Sequence, residues 1–227
     1  MTMFTGAPLI IAVISYLLGS IPFGYLLVRI FRGQDVRQTG SGNIGATNVA
    51  RTGSKGLAVA TLILDAAKGY LAVWLAFHLR GAIVPYFSAA PIGTAADMSS
   101  ALEALQYAYS GAALAALFAI LGHMFPIWLR FKGGKGVATA LGAFTALAPM
   151  AVLVSLVVFV AAVAMTRYVS LGSILSAVAL PCAAWWMNPF VRTTATMALI
   201  VASCLLIIIR HKDNIRRLLA GTENRFR

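Results

Sequence analysis

The sequence predicts an all-α fold, a polytopic integral membrane protein of seven transmembrane helices with an extracytoplasmic N-terminus and a cytoplasmic C-terminus. Of its 227 residues, 60% are hydrophobic and only 11% are charged, a composition that excludes an ordinary soluble globular protein. The apolar residues form runs long enough to cross a bilayer, which takes about 20 residues per helix. The basic residues gather between these runs, as they do in the cytoplasmic loops of membrane proteins. We expect one membrane-embedded domain over residues 1–227.

Each apolar run is assigned one helix. The first run follows no basic segment and is too long for the core of a signal peptide, so we expect it to remain as a span. The fourth and fifth helices could instead form one long tilted helix, but Pro149 favours two short ones because proline ends a helix. The predicted helices lie near 8–30, 57–78, 109–129, 137–148, 150–166, 168–187 and 190–209.

With seven spans, the basic residues separate sharply between the two membrane faces. Only Arg80 and Arg192 fall on one face, which is therefore assigned to the outside. The connection near 80–108 carries a Thr94-x-x-Asp97 capping pattern that predicts a short interfacial helix. The residues assigned to the cytoplasm are Arg32, Arg37, Arg51, Lys55, Arg130, Lys132, Lys135, Arg167, Arg210, Lys212, Arg216, Arg217, Arg225 and Arg227.

A net charge of +12 raises the question of nucleic-acid binding. The aromatic residues lie inside the apolar runs and not between the basic residues, where stacking on bases would require them. We therefore expect no nucleic-acid partner, and we assign the charge to membrane topology and an anionic substrate. Cys182 and Cys204 lie in apolar stretches without a nearby cysteine or histidine at ligand spacing, so we expect buried thiols and no metal site.

Four polar segments fall on the predicted cytoplasmic face. We expect them to line a common pocket, because polar backbone at membrane depth is tolerated where it faces a cavity or is buried in protein. These segments are GSGNIGATNVAR at 40–51, GHMFPIWLRFKGGKGVAT at 122–139, RYVSLGS at 167–173 and RHKDNIRRLLAGTE at 210–223.

The first segment contains the stretch GSGNIGATN, which we call the amide loop (residues 40–48). Closely spaced glycines allow backbone N–H groups to point at one anion. Thr47 and Asn48 stand where a helix could begin, and Arg51 follows on the same helical face. A flexible loop with a capped helix start is the alternative. The combination of amides, hydroxyls and arginine favours a phosphate site.

The second segment contains RFKGGKG, which we call the lysine loop (residues 130–136). It is not a Walker A motif, because Leu129 stands at the first glycine position and Gly136 at the Ser/Thr position. The lysines alone would suit a positive-inside anchor. The paired glycines beside them indicate a close approach to a ligand.

Other polar residues have two interpretations each. Asp65 and Lys68 lie three residues apart inside the second span, where they would neutralise each other as a structural pair or support a functional site. His123 and Ser170 could be packing residues. His211 and Asn214 could be polar residues at a helix end, and Arg216 and Arg217 are expected at lipid headgroups.

Five stretches of the sequence, in order and over essentially the whole chain, resemble the bacterial acyl-phosphate:glycerol-3-phosphate acyltransferases of the PlsY type. These stretches are GSIPFGYLL, GSGNIGATNVAR, GHMFPIWLRFKGGKG, RYVSLGSI and RHKDNIRRLLAGTE. The resemblance implies a seven-helix enzyme of the bacterial inner membrane, with its active site facing the cytoplasm and membrane lipids around it. Such an enzyme transfers a fatty acyl group from acyl phosphate to glycerol 3-phosphate, the first acylation of phospholipid biosynthesis, and needs no metal or cofactor.

The resemblance also implies roles for individual residues. Ser41, Arg51, Lys132 and His123 are the expected catalytic residues, and Asp65 and Lys68 are expected to support them. The expected acyl-phosphate contacts are Ser41, Gly42, Asn43, Thr47, Asn48, Ser170 and Gly172, and the expected glycerol 3-phosphate contacts are Arg51, Lys132, Lys135, His211 and Asn214.

Acyl phosphate is already activated, so the protein has to position a hydroxyl against its carbonyl and stabilise the oxyanion. The donor phosphate or His123 could accept the hydroxyl proton. We favour the phosphate, because the sequence places no acidic residue beside His123. A transporter of organic phosphates is the alternative class, but it predicts ionisable residues along a path through the membrane.

Overall fold

The structure is a computed structural model that describes residues 6–83 and 95–225. It contains ten α-helices in the described part of the chain: α1 Ala7–Ser20, α2 Phe23–Arg32, α3 Ala46–Arg51, α4 Lys55–Ile83, α5 Ala95–Met124, α6 Val137–Leu147, α7 Pro149–Thr166, α8 Val169–Met187, α9 Thr194–Arg210 and α10 Lys212–Leu219. Short 3₁₀ turns lie at Val36–Gln38, Ile127–Leu129 and Pro189–Val191. The predicted all-helical fold is confirmed.

Among the described residues, five helical stretches are long and apolar enough to cross a membrane: Ala7–Arg32, Lys55–Leu79, Ala101–Leu129, Pro149–Thr166 and Val169–Met187. The pair Thr194–Arg210 and Lys212–Leu219, bent by 55°, would make a sixth. Val137–Leu147 is apolar but has only 11 residues. Large apolar side chains such as Val157 and Trp186 are exposed, as expected for a surface that faces lipid.

Three details differ from the predicted helices or settle an alternative. The first span is broken at Ile21 and Pro22, because proline lacks an N–H and pushes the residue before it out of the helical region; Ile21 has ψ 114°. The helix before Pro149 ends at Leu147 and the next begins at Pro149, so residues 137–166 do not form one helix. The predicted short interfacial helix is wrong, since the chain runs as one helix from Ala95 to Met124, while Thr94 lies outside the described residues.

The chain divides into two compact units. The first unit contains the described residues up to Trp74 together with Ala115–Ala146, and the second contains Leu75–Leu114 and the residues from Leu147 onward. The expectation of a single domain over residues 1–227 stays a prediction.

In the first unit, glycines allow two pairs of helices to touch through their backbones. A Cβ atom on Gly19 would collide with the backbone of Ala119, which joins α1 to α5. A Cβ atom on Gly142 would collide with the carbonyl oxygen of Ala66, which joins α6 to α4. Small residues permit such close approach between membrane helices. The middle of α4 meets the end of α5 through the buried side chains of Asp65 and His123.

In the second unit, α7, α8 and α9 pack against one another in sequence order. The turn between α7 and α8 begins at Arg167, which has a left-handed φ of 62°. Gly172 on α8 faces Phe159 and Val163 on α7, so its small size serves helix packing.

Candidate active site

The amide loop lies in the first unit, after α2, and its last three residues form the start of α3. Gly40 and Gly42 have positive φ values of 57° and 68°, a conformation that other residues adopt only with strain. A side chain at Gly40 would also collide with the side-chain oxygen of Asn48. The backbone conformation of the loop therefore requires glycine at these closely spaced positions.

Asn48 is the centre of the amide loop and is 1% exposed. Its Nδ2 donates to the carbonyl oxygens of Val36, Thr39 and Asn43 at 2.9, 3.0 and 2.8 Å. Its Oδ1 accepts from the backbone N–H and the hydroxyl of Ser41 at 2.8 and 3.2 Å. The amide of Asn48 is thus engaged in holding the loop together, and a direct contact with phosphate stays a prediction.

The other expected ligands of this loop are open to solvent. Ser41, Gly42, Thr47 and Arg51 are exposed, and Asn43 is half-buried with its side-chain oxygen accepting from the N–H of Gly45 at 2.8 Å. An anion approaching the outer face of the loop would therefore meet hydroxyls, backbone and the Arg51 guanidinium.

Asp35 and Arg37 fasten the chain just before the amide loop. Their side chains form an ion pair of 2.7 Å, and the Arg37 guanidinium lies 5.0 Å from the centre of the Tyr25 ring. The hydrogen bond from Arg37 holds the pKa of the Asp35 carboxyl below its ordinary value, even though partial burial opposes this. Asp35 therefore stays ionised at neutral pH and keeps this turn closed.

The lysine loop follows the 3₁₀ turn Ile127–Leu129 and folds back on the end of α5. The N–H groups of Gly133 and Gly134 donate to the carbonyl oxygens of Met124 and His123 at 3.1 and 3.0 Å. A Cβ atom at either glycine would collide with His123. The paired glycines are thus explained by their approach to α5, and Lys132 is left exposed while Lys135 is half-buried.

The two loops rest on the same hydrophobic cluster in the first unit. This buried cluster contains Ile44 of the amide loop, Val49 of α3, Val28 of α2 and Leu129, which ends the 3₁₀ turn just before the lysine loop. A shared core therefore joins the polar segments at 40–51 and 122–139. The expectation that these segments line a common pocket stays a prediction.

Three ionisable side chains are buried beside these loops: Asp65 and Lys68 of α4 and His123 of α5, with exposures of 1%, 4% and 3%. Lys68 Nζ lies 2.7 Å from Asp65 Oδ1, so the predicted pair is observed. Asp65 Oδ1 also lies 3.5 Å from His123 Nδ1. The sequence-based statement that His123 has no acidic partner is therefore wrong, because the partner lies far away in the chain.

The second unit holds a different polar cluster, built around Glu223. Its Oε1 accepts from the hydroxyl of Ser170 at 2.8 Å and from Nδ2 of Asn214 at 2.6 Å, and its Oε2 accepts from Nε of Arg217 at 2.7 Å. Burial raises the pKa of Glu223, but the hydrogen bonds from Asn214, Arg217 and Ser170 outweigh it and hold the pKa below its ordinary value. The side chains of Ser170, Asn214 and Arg217 therefore already bind the carboxylate of Glu223.

Glu223 and its pairing with Arg217 were missed from the sequence. An acidic residue at the end of a basic tail, just after Gly221 with its φ of 68°, was the available signal. His211 is 2% exposed, with its Nδ1 2.8 Å from the carbonyl oxygen of Ile207. The expected roles of Ser170, Gly172, His211 and Asn214 in substrate binding stay predictions, as does the convergence of all four segments.

The fold and the apolar spans define a helical membrane protein, and the comparisons identify its family. Residues 9–221 match the family described as glycerol-3-phosphate acyltransferase. The glycerol-3-phosphate acyltransferase of Agrobacterium fabrum is 42% identical over 94% of this chain and 89% of its own length. That of Geobacter sulfurreducens is 43% identical over 96% of this chain and 97% of its own.

Solved structures agree with the sequence relatives. The crystal structure of PlsY (YgiH), an integral membrane glycerol 3-phosphate acyltransferase, in its glycerol 3-phosphate form is similar with a TM-score of 0.79 and 34% identity, covering 98% of this chain and 96% of that one. The lysophosphatidic acid form gives a TM-score of 0.77 at 32% identity and the same coverage. The chain belongs to the glycerol-3-phosphate acyltransferase family, and it is a PlsY-type acyltransferase.

Proposed function

We propose that the acyl donor is acyl phosphate and that the products are 1-acyl-glycerol 3-phosphate and inorganic phosphate. The single observation that carries this proposal is that the two glycine-rich, polar segments at 40–51 and 122–139 share one hydrophobic cluster. A reaction between two phosphorylated substrates needs two adjacent anion sites. In this assignment the amide loop receives the donor phosphate, and Arg51 with Lys132 and Lys135 receives glycerol 3-phosphate, the ligand named for the related PlsY structure.

The reaction then requires little covalent chemistry from the protein. The first hydroxyl of glycerol 3-phosphate attacks the carbonyl carbon of acyl phosphate, and a new ester C–O bond forms. The bond between the carbonyl carbon and the phosphate oxygen breaks, and inorganic phosphate leaves with the hydroxyl proton. Ser41, Arg51 and Lys132 act by holding the two substrates in register and by balancing the developing negative charge.

The donor phosphate is the better proton acceptor, although for a different reason from the one given by the sequence. His123 has an acidic partner in Asp65, but its side chain is only 3% exposed and its ring lies against Gly134. A general base has to come within hydrogen-bond reach of the proton that it removes. We therefore assign His123 to the support of the lysine loop.

The topology belongs to the same proposal. We propose seven spans, counting the short α6, with the N-terminus outside, the C-terminus in the cytoplasm and the active site facing the cytoplasm of a bacterial inner membrane. The broken first span and the buried charges of α4 are features that transporters also have. Among the described residues these charges are paired with one another, which favours a supporting role.

The deciding experiment measures phosphate release from acyl phosphate by the purified protein in lipid vesicles. We expect release to depend on glycerol 3-phosphate and to match lysophosphatidic acid formation one to one, with acyl-CoA inactive as a donor. Ser41→Ala and Thr47→Ala should raise KM for acyl phosphate more than KM for glycerol 3-phosphate. Equal use of acyl-CoA, or an effect of these variants confined to glycerol 3-phosphate, would contradict the donor assignment.

A second experiment tests the proton acceptor. If His123 were the base, its replacement by alanine would cost about 100- to 10,000-fold in kcat and remove the low-pH limb of the rate profile. We expect that limb to survive in His123→Ala, because it belongs to the phosphate substrates. Its disappearance in a folded variant that still binds both substrates would restore His123 as the base.

A further inference from the structure

The buried charges of the first unit call for an explanation beyond stability. Asp65, Lys68 and His123 lie on candidate membrane spans, and each is at most 4% exposed. Removing charges from water costs more than their pairing returns in many proteins, so apolar side chains of similar size would serve a purely structural purpose as well or better. Ionisable residues inside membrane segments usually mark function.

Lys68, at one end of the group formed by Asp65, Lys68 and His123, supports the chain beneath the amide loop. Lys68 Nζ donates to the carbonyl oxygen of Ile21 at 2.7 Å, at the break between α1 and α2. The first turn of α2 carries Gly24, where a Cβ atom would collide with the carbonyl oxygen of Ile44 in the amide loop. The position of Lys68 therefore fixes the start of the helix on which the amide loop rests.

The other end holds the lysine loop. The carbonyl oxygen of His123 accepts from the N–H of Gly134, and a Cβ atom on Gly134 would collide with Nε2 of the His123 ring. The opposite ring nitrogen, Nδ1, faces Asp65 at 3.5 Å. A change in the orientation of His123 would therefore move Gly134 and the lysines on either side of it.

We propose that Asp65, Lys68 and His123 form a positioning cluster that sets the spacing between the amide loop and the lysine loop. Asp65 joins the two ends because the same oxygen, Oδ1, faces both Lys68 and His123. All three side chains are buried, so they act through the loops and not by touching a substrate. This inference rests on the proposed function, in which the two loops hold the two substrates.

The test uses full-length protein with two sets of substitutions. Asp65→Asn combined with Lys68→Met removes both charges at once, so that neither is left buried alone, and His123→Gln breaks one end only. The matched control is Thr139→Val, since the Thr139 hydroxyl is buried in the same unit and has no hydrogen-bond partner in the described part of the chain. Thermal unfolding and the number of glycerol 3-phosphate sites per chain establish that each variant is folded.

The direct readout is the spacing between the loops. Spin labels on Gln38→Cys and Phe131→Cys, both exposed, report this distance by electron paramagnetic resonance in protein whose Cys182 and Cys204 are replaced by alanine. We expect the distance distribution to broaden or shift in the charge-free double variant and in His123→Gln, and to stay unchanged in Thr139→Val. A distribution identical to that of the parent in both cluster variants would overturn the proposal.

The kinetic readout separates positioning from folding. A misplacement of about 1 Å can cost about 100-fold in rate, so we expect kcat to fall by about this factor while KM for each substrate and the number of binding sites stay the same. A folded double variant with the parent's kcat would show that the cluster only stabilises the fold. If the double variant does not fold, His123→Gln decides, because it leaves the pair of Asp65 and Lys68 intact.

The two proposals fail in different ways. If acyl phosphate is not the donor, the parent protein itself gives no transfer from it, while the label distances still respond to the cluster variants. If the positioning proposal is wrong, the parent transfers from acyl phosphate normally, and the label distances and kcat do not respond.

Discussion

Asn48 offers the sharpest test of how the amide loop works. If its role is to hold the loop together, Asn48→Ala removes the side-chain donor to the carbonyl of Asn43 and the acceptor of the Ser41 N–H. A buried polar group that loses its partner costs about 1–3 kcal/mol. The carbonyl of Val36 keeps the N–H and the hydroxyl of Thr39 as donors, and the carbonyl of Thr39 keeps the N–H of Gly42.

The resulting destabilisation is about 2–4 kcal/mol, which includes a small term for the lost side-chain volume. For a chain of this size, each kcal/mol lowers the unfolding midpoint by roughly 2–4 °C. The expected drop is therefore roughly 5–15 °C, measured by thermal unfolding in detergent. Asn48→Asp should be no milder despite its equal size, because it places a carboxylate oxygen where Nδ2 now faces three carbonyl oxygens.

Thr52→Val is the matched control, since the Thr52 hydroxyl bonds only to the carbonyl of Val49, one turn earlier in the chain. It should change the midpoint little. The reasoning is refuted if Asn48→Ala unfolds at the parent's temperature and raises only KM for acyl phosphate. That outcome would mean that Asn48 contacts the phosphate directly, as the family resemblance implies.

Three further predictions follow from single contacts. Gly142→Ala should destabilise the protein by about 1–3 kcal/mol through overpacking, whereas Gly56→Ala, with open space around it, should not. Glu223→Gln should weaken the packing of the C-terminal tail, measured as faster hydrogen exchange of its amides. Because the pKa of Glu223 is lowered from 4.5, the parent should lose the stabilisation that the Glu223 carboxylate provides as the pH falls below that value. Lys132→Ala should raise KM for glycerol 3-phosphate roughly 10- to 100-fold, since a hydrogen bond to a charged group contributes about 1.5–3 kcal/mol, and the exposed Lys55→Ala should leave KM unchanged.

The helices could be predicted from the sequence because membrane spans depend on a local property, the length of an apolar run. The separation at Pro149 followed from proline chemistry in the same way. The break at Pro22 has the same origin but lies inside a strongly apolar run, and its extent depends on a donor from another helix, the Lys68 ammonium. Hydropathy carries no information about such a contact.

The site was only partly predictable, for a related reason. Positive φ at Gly40 and Gly42 follows from glycine spacing, and the Asp65–Lys68 pair follows from helical periodicity. The partner of His123 does not, because Asp65 meets it only after α4 and α5 have packed. Glu223 was likewise invisible as a partner of Ser170, since their contact joins distant parts of the chain.

The structure changes the argument about the proton acceptor without changing its conclusion. The sequence suggested that His123 is not the base because it has no acidic partner, and the structure supplies one in Asp65. The imidazole is 3% exposed and lies against Gly134, which agrees with our assignment of His123 to the support of the lysine loop. An activated donor that carries its own phosphate base needs no base from the protein. The protein then has to hold the two phosphorylated substrates at an accurate distance from each other. Buried charges that cost stability are then expected beneath the loops, where Asp65, Lys68 and His123 lie.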